Sequence, residues 1–216
     1  MDIRTKLHIS SLKDIVLTVI GAVLCGLGCG FENFASLGMD AVGTFFDGVR
    51  TALKLPLDSI GTVSLLINLA LIVFLLFAAR KYVSIGTVIY MVIYGIFANL
   101  GTVILEKIIS SDSIVLRSLI AVSGFVLLTF GLGIYIAVDI GVDAFTGLTL
   151  WLTDLTHKDM KYIKIALDLI LMITGIIMGA RIGTFTVISV LAGGPVIEFF
   201  TLKIQKIYIR GLISRR

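Results

Sequence analysis

The stretch at residues 21–41, GAVLCGLGCGFENFASLGMDA, has a counterpart at residues 124–144, GFVLLTFGLGIYIAVDIGVDA. The offset is 103 residues (124 minus 21), and the two stretches align without a gap. Four glycines, one aspartate and three apolar residues coincide: Gly21/Gly124, Val23/Val126, Leu24/Leu127, Gly28/Gly131, Gly30/Gly133, Gly38/Gly141, Asp40/Asp143 and Ala41/Ala144. Shared apolar residues are common, but glycines and an aspartate in register indicate an internal repeat.

The composition is that of a membrane protein. The 216 residues are 58% hydrophobic and only 15% charged, with a mean hydropathy of +1.10. Six apolar runs are each about long enough for a helix to cross a hydrocarbon core of about 30 Å. They cover residues 15–31, 59–79, 82–105, 118–138, 165–180 and 182–202. We therefore expect a single membrane domain over residues 1–216.

The two halves of the chain share an outline beyond the aligned stretches. Each stretch precedes a short amphipathic segment, then a span with a polar residue near its start (Asn68 or Asp168), then Ile-Gly-Thr at 85–87 or 182–184. Three spans per half is an odd number, so the second half must enter the membrane from the opposite side. The predicted fold is an all-α integral membrane protein. Its six transmembrane helices form two inverted three-helix repeats, about 14–108 and 115–203, each with an extra short amphipathic or re-entrant helix.

Basic residues predict the orientation. With six spans, 13 of the 18 Lys and Arg residues fall on the face that holds both termini, including Arg4, Lys6 and the tail at 204–216. The positive-inside rule therefore predicts a multi-pass protein of the bacterial inner membrane with both termini, and that basic tail, in the cytoplasm. The excess of basic residues behind the net charge of +4 orients the protein in the membrane, and we expect no nucleic-acid partner.

Asp40 and Asp143 are the equivalent acids of the two copies, and each directly precedes an amphipathic segment. Aspartate is a favoured helix N-cap because its side chain accepts hydrogen bonds from the first free backbone N–H groups. Alternatively, the pair lines a central cavity and binds a proton, a cation or a basic solute. The sequence leaves both interpretations open.

Four other polar residues inside or beside the apolar runs are candidates for substrate or ion binding. An ionisable group in a span is costly and usually faces protein or water. Asp168 lies within IALDLILMIT and either lines a cavity or makes an interhelical hydrogen bond. Glu32 either contributes to a site or reaches for water at the interface. Asn68 and Asn33 complete the set.

Six paired glycines are candidates for hinges or for close helix packing: Gly28, Gly30, Gly38, Gly131, Gly133 and Gly141. Small residues let membrane helices approach closely, and this is the simpler role. The alternative is a broken helix that exposes backbone dipoles to a ligand, which is tolerated where protein or a watery cavity satisfies the backbone.

Signatures of enzymes are missing from the sequence. It contains neither a phosphate-binding loop, an H-E-x-x-H zinc pair nor a nucleophile elbow. Cys25 and Cys29 lie one helical turn apart inside the first span, and two sulfurs alone make a poor metal site. We therefore interpret them as packing residues and expect a protein that is not an enzyme and holds neither cofactor nor metal.

The paired G-x-G…LG-x-DA and IGT elements, together with GGPVIEFF at 193–200, resemble the YczE/YyaS/YitT-like family of bacterial polytopic membrane proteins. The resemblance covers about residues 14–202. It implies a multi-pass inner-membrane protein and does not assign a biochemical activity.

Three functions fit these features. The first is a small-solute transporter or permease with its site between the inverted repeats. The second is a non-transporting membrane scaffold or regulator, and the third is the substrate-binding subunit of a multi-component importer. The expected partners are the lipid bilayer and an unknown small solute, with a second copy of the chain or an ATPase module as further candidates. The sequence is silent on the solute, the coupling ion and the direction of movement.

Overall fold

The computed structural model of the chain describes residues 12–110 and 113–213, with side chains up to residue 208. Eight α-helices fill this described part: α1 Leu12–Ala35, α2 Ala41–Ala52, α3 Ile60–Ala78, α4 Ile85–Ile108, α5 Ile114–Val138, α6 Ala144–Thr156, α7 Met160–Ile177 and α8 Thr184–Ile213. Single 3-10 turns at Leu57–Ser59 and Arg80–Tyr82 precede α3 and α4. The predicted all-α membrane fold is confirmed.

Within the described residues, five helices are long and apolar enough to cross a membrane: α1, α3 with its preceding turn, α4, α5 and α8 as far as Tyr208. The remaining predicted span, 165–180, falls on α7, which has 18 residues and carries Lys161, Lys164 and Asp168. These charges set α7 apart from the other five. The structure therefore supports a multi-pass α-helical protein, and the number six stays a prediction.

Helices α1 and α5 cross at the centre of the molecule through glycines. A Cβ atom built on Gly21 would lie 2.9 Å from the Gly131 carbonyl oxygen, and one on Gly28 would lie 2.5 Å from the Gly124 carbonyl oxygen. Residue numbers rise along α1 as they fall along α5, so the two helices run antiparallel. Glycine is required at this crossing because any side chain would push one backbone off the other.

The long helix α4 packs against α1, and α8 packs against α5 in a matching way. A Cβ on Gly30 would lie 2.5 Å from the Ala98 carbonyl oxygen and 2.8 Å from the Thr102 nitrogen. One on Gly133 would lie 2.7 Å from the Phe200 Cβ and 3.2 Å from the Thr201 nitrogen. The four helices α4, α1, α5 and α8 thus form a continuous layer.

The short helices pack across the two halves of the chain. Helix α2 lies on α7, where a Cβ on Gly48 would be 2.4 Å from the Gly175 carbonyl oxygen. Helix α6 lies on α3, where the Phe74 and Trp151 rings meet edge to face at 5.2 Å. Each half therefore covers its partner's third helix with its own second helix.

Both short helices begin inside the bundle. Met39 and Ala41, on either side of Asp40, are buried, and so are Ala144 and Phe145 at the start of α6. The Phe46 ring of α2 lies 5.8 Å from the Phe145 ring of α6. After α1 and after α5, the chain thus turns back into the bundle before the next helix starts.

The two returning turns rest on the first turns of α8 and α4. Gly38 adopts a φ of +105° and a Cβ there would lie 2.0 Å from the Thr186 hydroxyl oxygen. A Cβ on Gly141 would lie 1.8 Å from the Ser84 hydroxyl oxygen, and the Thr87 hydroxyl donates to the Val142 carbonyl oxygen at 2.6 Å.

The ends of the chain differ from the predicted outline. Helix α8 continues to Ile213, so most of the predicted basic tail at 204–216 is a helical extension. The Tyr208 hydroxyl donates to the Asp14 carboxylate, which joins the end of α8 to the start of α1. Arg4, Lys6 and residues 214–216 lie outside the described residues.

Candidate functional site

Asp40 and Asp143 cap the short helices. Asp40 Oδ1 accepts from the Gly43 N–H at 3.0 Å. Asp143 Oδ1 accepts from the N–H groups of Phe145 and Thr146, each at 3.1 Å, and its Oδ2 accepts from the Thr146 hydroxyl at 2.5 Å. A carboxylate at this position satisfies free N–H groups and interacts favourably with the positive end of the helix dipole.

Three buried tyrosines connect the starts of the two short helices. We call Tyr90, Tyr94 and Tyr135 the tyrosine ladder. The Tyr90 ring stacks on Tyr94 at 5.4 Å between centroids and lies 4.7 Å from the Tyr135 ring. The Cys25 thiol donates to the Leu128 carbonyl oxygen of α5 at 3.4 Å. Cys25 and Cys29 are buried in the same core cluster as the three tyrosines.

The tyrosine ladder has one aspartate at each end. Asp143 acts electrostatically on Tyr90 and Tyr135, whereas Asp40 acts on Tyr94. Cys25 and the tyrosine ladder lie in one buried cluster, which we call the polar zone. Asp40 and Asp143, both half-buried, flank this polar zone.

Glu32 and Tyr135 are equivalent residues, since 135 minus 32 is the repeat offset of 103. Glu32 is 0% and Tyr135 2% exposed. Among the described residues, neither the carboxylate oxygens of Glu32 nor the hydroxyl of Tyr135 have a hydrogen-bond partner. The prediction that Glu32 reaches for water at the interface is therefore wrong: the side chain points into the protein, close to Asp40.

Asp168 joins this zone from α7. Its Oδ1 accepts from the Lys164 ammonium at 2.5 Å, one turn away on the same helix, and its side chain is 26% exposed. Lys164 and Asp168 both act electrostatically on Asp40. Asp168, paired with Lys164, thus lies on the Asp40 side of the bundle, but among the described residues it does not form a three-acid cluster with Asp40 and Glu32.

The two candidate asparagines lie elsewhere. Asn68 donates to the Ser64 carbonyl oxygen at 2.8 Å within α3 and thus serves its own helix. Asn33 donates to the Leu57 carbonyl oxygen at 2.8 Å and to the Thr102 hydroxyl at 3.1 Å. Its hydrogen bonds tie α1 to α4 and to the turn before α3.

A buried ion-pair network lies on the same side of the molecule as Asn33. Asp47 of α2, 1% exposed, accepts from the Arg181 backbone N–H at 2.8 Å and from Arg181 Nη2 at 2.7 Å. Arg50 Nη2 donates to the same carboxylate at 2.8 Å. Arg181 also donates to Asn33 Oδ1 at 2.7 Å and to the Ser36 hydroxyl at 2.5 Å. We call this set of five residues the arginine network.

The sequence did not predict the arginine network. It indicated only that Arg181 lies in a loop between two apolar runs. Burial alone raises the pKa of Asp47, but the hydrogen bonds and positive charge of Arg181, assisted by Arg50, lower it overall. The carboxylate is therefore charged at neutral pH and joins α1, α2 and the segment between α7 and α8.

A weaker pair lies at the opposite side. Lys81 and Tyr82, in the turn before α4, both donate to the Asp154 carboxylate near the end of α6. The Lys81 hydrogen bond, followed by that of Tyr82, lowers the pKa of Asp154. Both charged side chains are at least half exposed, so solvent screens the pair.

Two apolar cavities lie at the periphery rather than at the tyrosine ladder. One of about 260 Å³ separates α7 from α8 and is lined by Met172, Ile176, Ile182, Gly183, Thr186 and Val187. The other, of about 160 Å³, lies beside Phe185 and Ser118. Among the described residues, no group of three His, Cys, Asp or Glu side chains is placed to hold a metal.

Comparison with known proteins agrees with this architecture. Residues 12–202 match the model of a family of unknown function, DUF6198. The chain is 24% identical over 197 residues to an uncharacterized protein of Haemophilus influenzae, covering 91% of this chain and 87% of that protein. It is 25% identical over 142 residues to the uncharacterized membrane protein YczE of Bacillus subtilis, covering 65% of this chain and 64% of YczE. No solved structure matches. With its long apolar helices and a match over nearly its whole length, the chain belongs to the DUF6198 family and is a YczE-like multi-pass membrane protein.

Proposed function

We propose that the protein is a small-solute transporter or permease of the bacterial inner membrane, with its site between two inverted repeats. One observation carries this proposal: the polar ends of Glu32 and Tyr135 are buried without partners among the described residues, beside the starts of α2 and α6. A buried polar group without a partner costs about 1–3 kcal/mol. Such groups are retained where a solute, a proton or water occupies the site during the working cycle.

The packing supports an inverted repeat. Helices α1 and α5 cross antiparallel, and each short helix packs on the third helix of the other half. Inverted repeats of this kind recur in secondary transporters, whose sites lie at the repeat interface near the middle of the membrane. In the proposal α7 also crosses the membrane, which brings the number of spans to six. The Lys164–Asp168 pair reduces the cost of placing its charges there.

The proposed orientation has both termini in the cytoplasm. The hydrogen bond between Asp14 and Tyr208 supports it, because it joins the first and last spans on one side. That side also carries the basic pair Arg80 and Lys81. A second copy of the chain, or an ATPase module, would be compatible with this orientation.

Proteoliposomes test the transport proposal even while the solute is unidentified. Vesicles are loaded with a small-molecule extract of bacterial cytoplasm, and the compounds that leave are identified by mass spectrometry. We expect at least one compound to leave faster from vesicles with protein than from protein-free vesicles. If every compound leaves the vesicles with protein and the protein-free vesicles at the same rate, the transporter proposal is wrong. A compound that binds but does not cross would instead indicate the substrate-binding subunit of an importer.

Asp143→Asn separates the charge of the cap from its hydrogen bonds. Asparagine caps helices about as well as aspartate, so the melting temperature should change little, whereas Asp143→Ala should lose about 1 kcal/mol of stability. We expect Asp143→Asn to abolish the flux if the carboxylate contacts the solute. Asp154→Asn, an exposed acid on the same helix, is the matched control and should keep full flux. If Asp143→Asn keeps the full flux, Asp143 serves only as a helix cap.

A further inference from the structure

The carboxyl group of Glu32 is the least satisfied polar group of the polar zone. It lies on α1, is 0% exposed, and both of its oxygens lack hydrogen-bond partners among the described residues. An ionised carboxylate in such surroundings loses its hydration and gains little in return. A carboxylic acid at the same place carries no charge and loses far less.

The neighbour of Glu32 adds to this cost. Asp40, in the turn that follows α1, carries a negative charge that opposes ionisation of Glu32. Two carboxylates in one buried site cannot readily both be charged, so one of them retains a proton. Burial raises the pKa of Asp40 as well, but Asp40 Oδ1 accepts from the Gly43 N–H whereas Glu32 accepts no hydrogen bond, so the proton is better placed on Glu32.

The other groups around the pair do not supply a compensating charge. On α7, Lys164 is held by Asp168 at 2.5 Å, so this pair contributes little net charge. On α4, the phenol of Tyr94 is buried in the same cluster as Cys29 of α1 and carries no positive charge. A hard metal cation requires about six oxygen ligands. The described residues place no third acidic, cysteine or histidine ligand with the two carboxylates, so a proton fits the site better than a metal ion.

We infer that Glu32 and Asp40 form a binding site for a single proton at the start of α2. On binding, one carboxylate oxygen forms an O–H bond with a proton taken from water, and on release the proton returns to water. The pair then changes between one negative charge and two. The inference rests on the proposed function only in assigning this proton as the coupling ion, since proton binding itself follows from the two carboxylates.

Infrared spectroscopy of the purified protein in lipid nanodiscs tests the site directly. A protonated carboxyl group has a carbonyl-stretch band that is distinct from carboxylate bands and shifts on exchange into D₂O. We expect this band in the wild type at neutral pH and its loss as the pH is raised. Glu32→Gln should remove the band, whereas the control Asp154→Asn, at an exposed acid outside the long apolar helices, should retain it.

Asp40→Asn supplies a second test that does not require Glu32→Gln to fold. Removing the neighbouring negative charge should make Glu32 more acidic, so the midpoint of the band should move down by about one pH unit or more, a tenfold fall in proton affinity. The inference is overturned if the wild type has no such band, if Glu32→Gln retains it, or if Asp40→Asn leaves its midpoint unchanged. Loss of the band on adding sodium chloride at constant pH would also overturn it and indicate a sodium site. Because the band is read without transport, these results do not depend on the flux experiment.

Discussion

Gly28→Ala is expected to destabilise the protein strongly and to lower its yield from membranes. The new Cβ would lie 2.5 Å from the Gly124 carbonyl oxygen and 2.6 Å from the Leu128 nitrogen. Both neighbours are backbone atoms of α5 and cannot rotate away, so α1 and α5 must separate. Overpacking of this kind costs about 1–3 kcal/mol and sometimes more, and we expect the upper part of that range. Thermal melting of the protein in detergent measures the effect.

Gly193→Ala is the matched control for this substitution. Gly193 lies in α8, and a Cβ there would lie 4.0 Å from Phe125 Cε2, which is an ordinary contact. Alanine has a higher helix propensity than glycine by up to about 1 kcal/mol, so the variant should melt at the wild-type temperature or slightly above it. Equal melting temperatures for Gly28→Ala and Gly193→Ala would contradict the close crossing of α1 and α5.

Asp47→Ala should produce the second large effect. The change leaves Arg50 and Arg181 without the carboxylate that both of them bind. Breaking a buried ion pair costs about 3–5 kcal/mol, and the lower end applies here because the Arg181 side chain is 30% exposed. We expect a fall in melting temperature, together with increased proteolysis between α7 and α8. Arg181→Ala should behave similarly, and the double variant should lose less than the sum of the two.

Two comparisons check the role of the arginine network. Asp154→Ala removes the exposed pair with Lys81 and should leave the melting temperature unchanged. The pH dependence is the second check. Because the pKa of Asp47 is lowered in the fold, its stabilisation is present above the ordinary aspartate pKa and is lost as the pH falls through the lowered value. Acid should therefore narrow the gap between wild type and Asp47→Ala. A gap that stays constant down to strongly acidic pH would contradict the account.

Periodicity and hydropathy predicted much of the fold. The fourth predicted run, 118–138, ends with α5 at Val138, and Ile-Gly-Thr marks the starts of α4 and α8 to within two residues. Helix α1 differs from its prediction, because it continues to Ala35 although its apolar run stops at residue 31. Glu32 and Asn33 look like the end of a span, yet both are buried inside the bundle.

The partners of the polar residues could not be predicted, because they are distant in sequence. Asp47 and Arg181 are 134 residues apart, and neither lies in a motif. The tyrosine ladder left a weak signal: Tyr90 and Tyr94 are one turn apart on α4, and Tyr135 aligns with Glu32 in the repeat. Because a phenol aligns with a carboxylate at this position, a search for identical residues in the two copies does not single out Glu32 and Tyr135. The antiparallel crossing of α1 and α5 places the two at its opposite ends, with Glu32 beside Gly124 and Tyr135 beside Gly21.

Labelling of single cysteines in spheroplasts tests the central claim, that the two halves of the chain have opposite orientations around a common site. Lys54 follows α2 and Lys158 follows α6, and both side chains are exposed. The native Cys25 and Cys29 are buried, so the wild type is the unlabelled control. A membrane-impermeant maleimide should label Lys54→Cys in intact spheroplasts and Lys158→Cys only after permeabilisation. Labelling of both positions from the same side would contradict the inverted repeat and the site that we place within it.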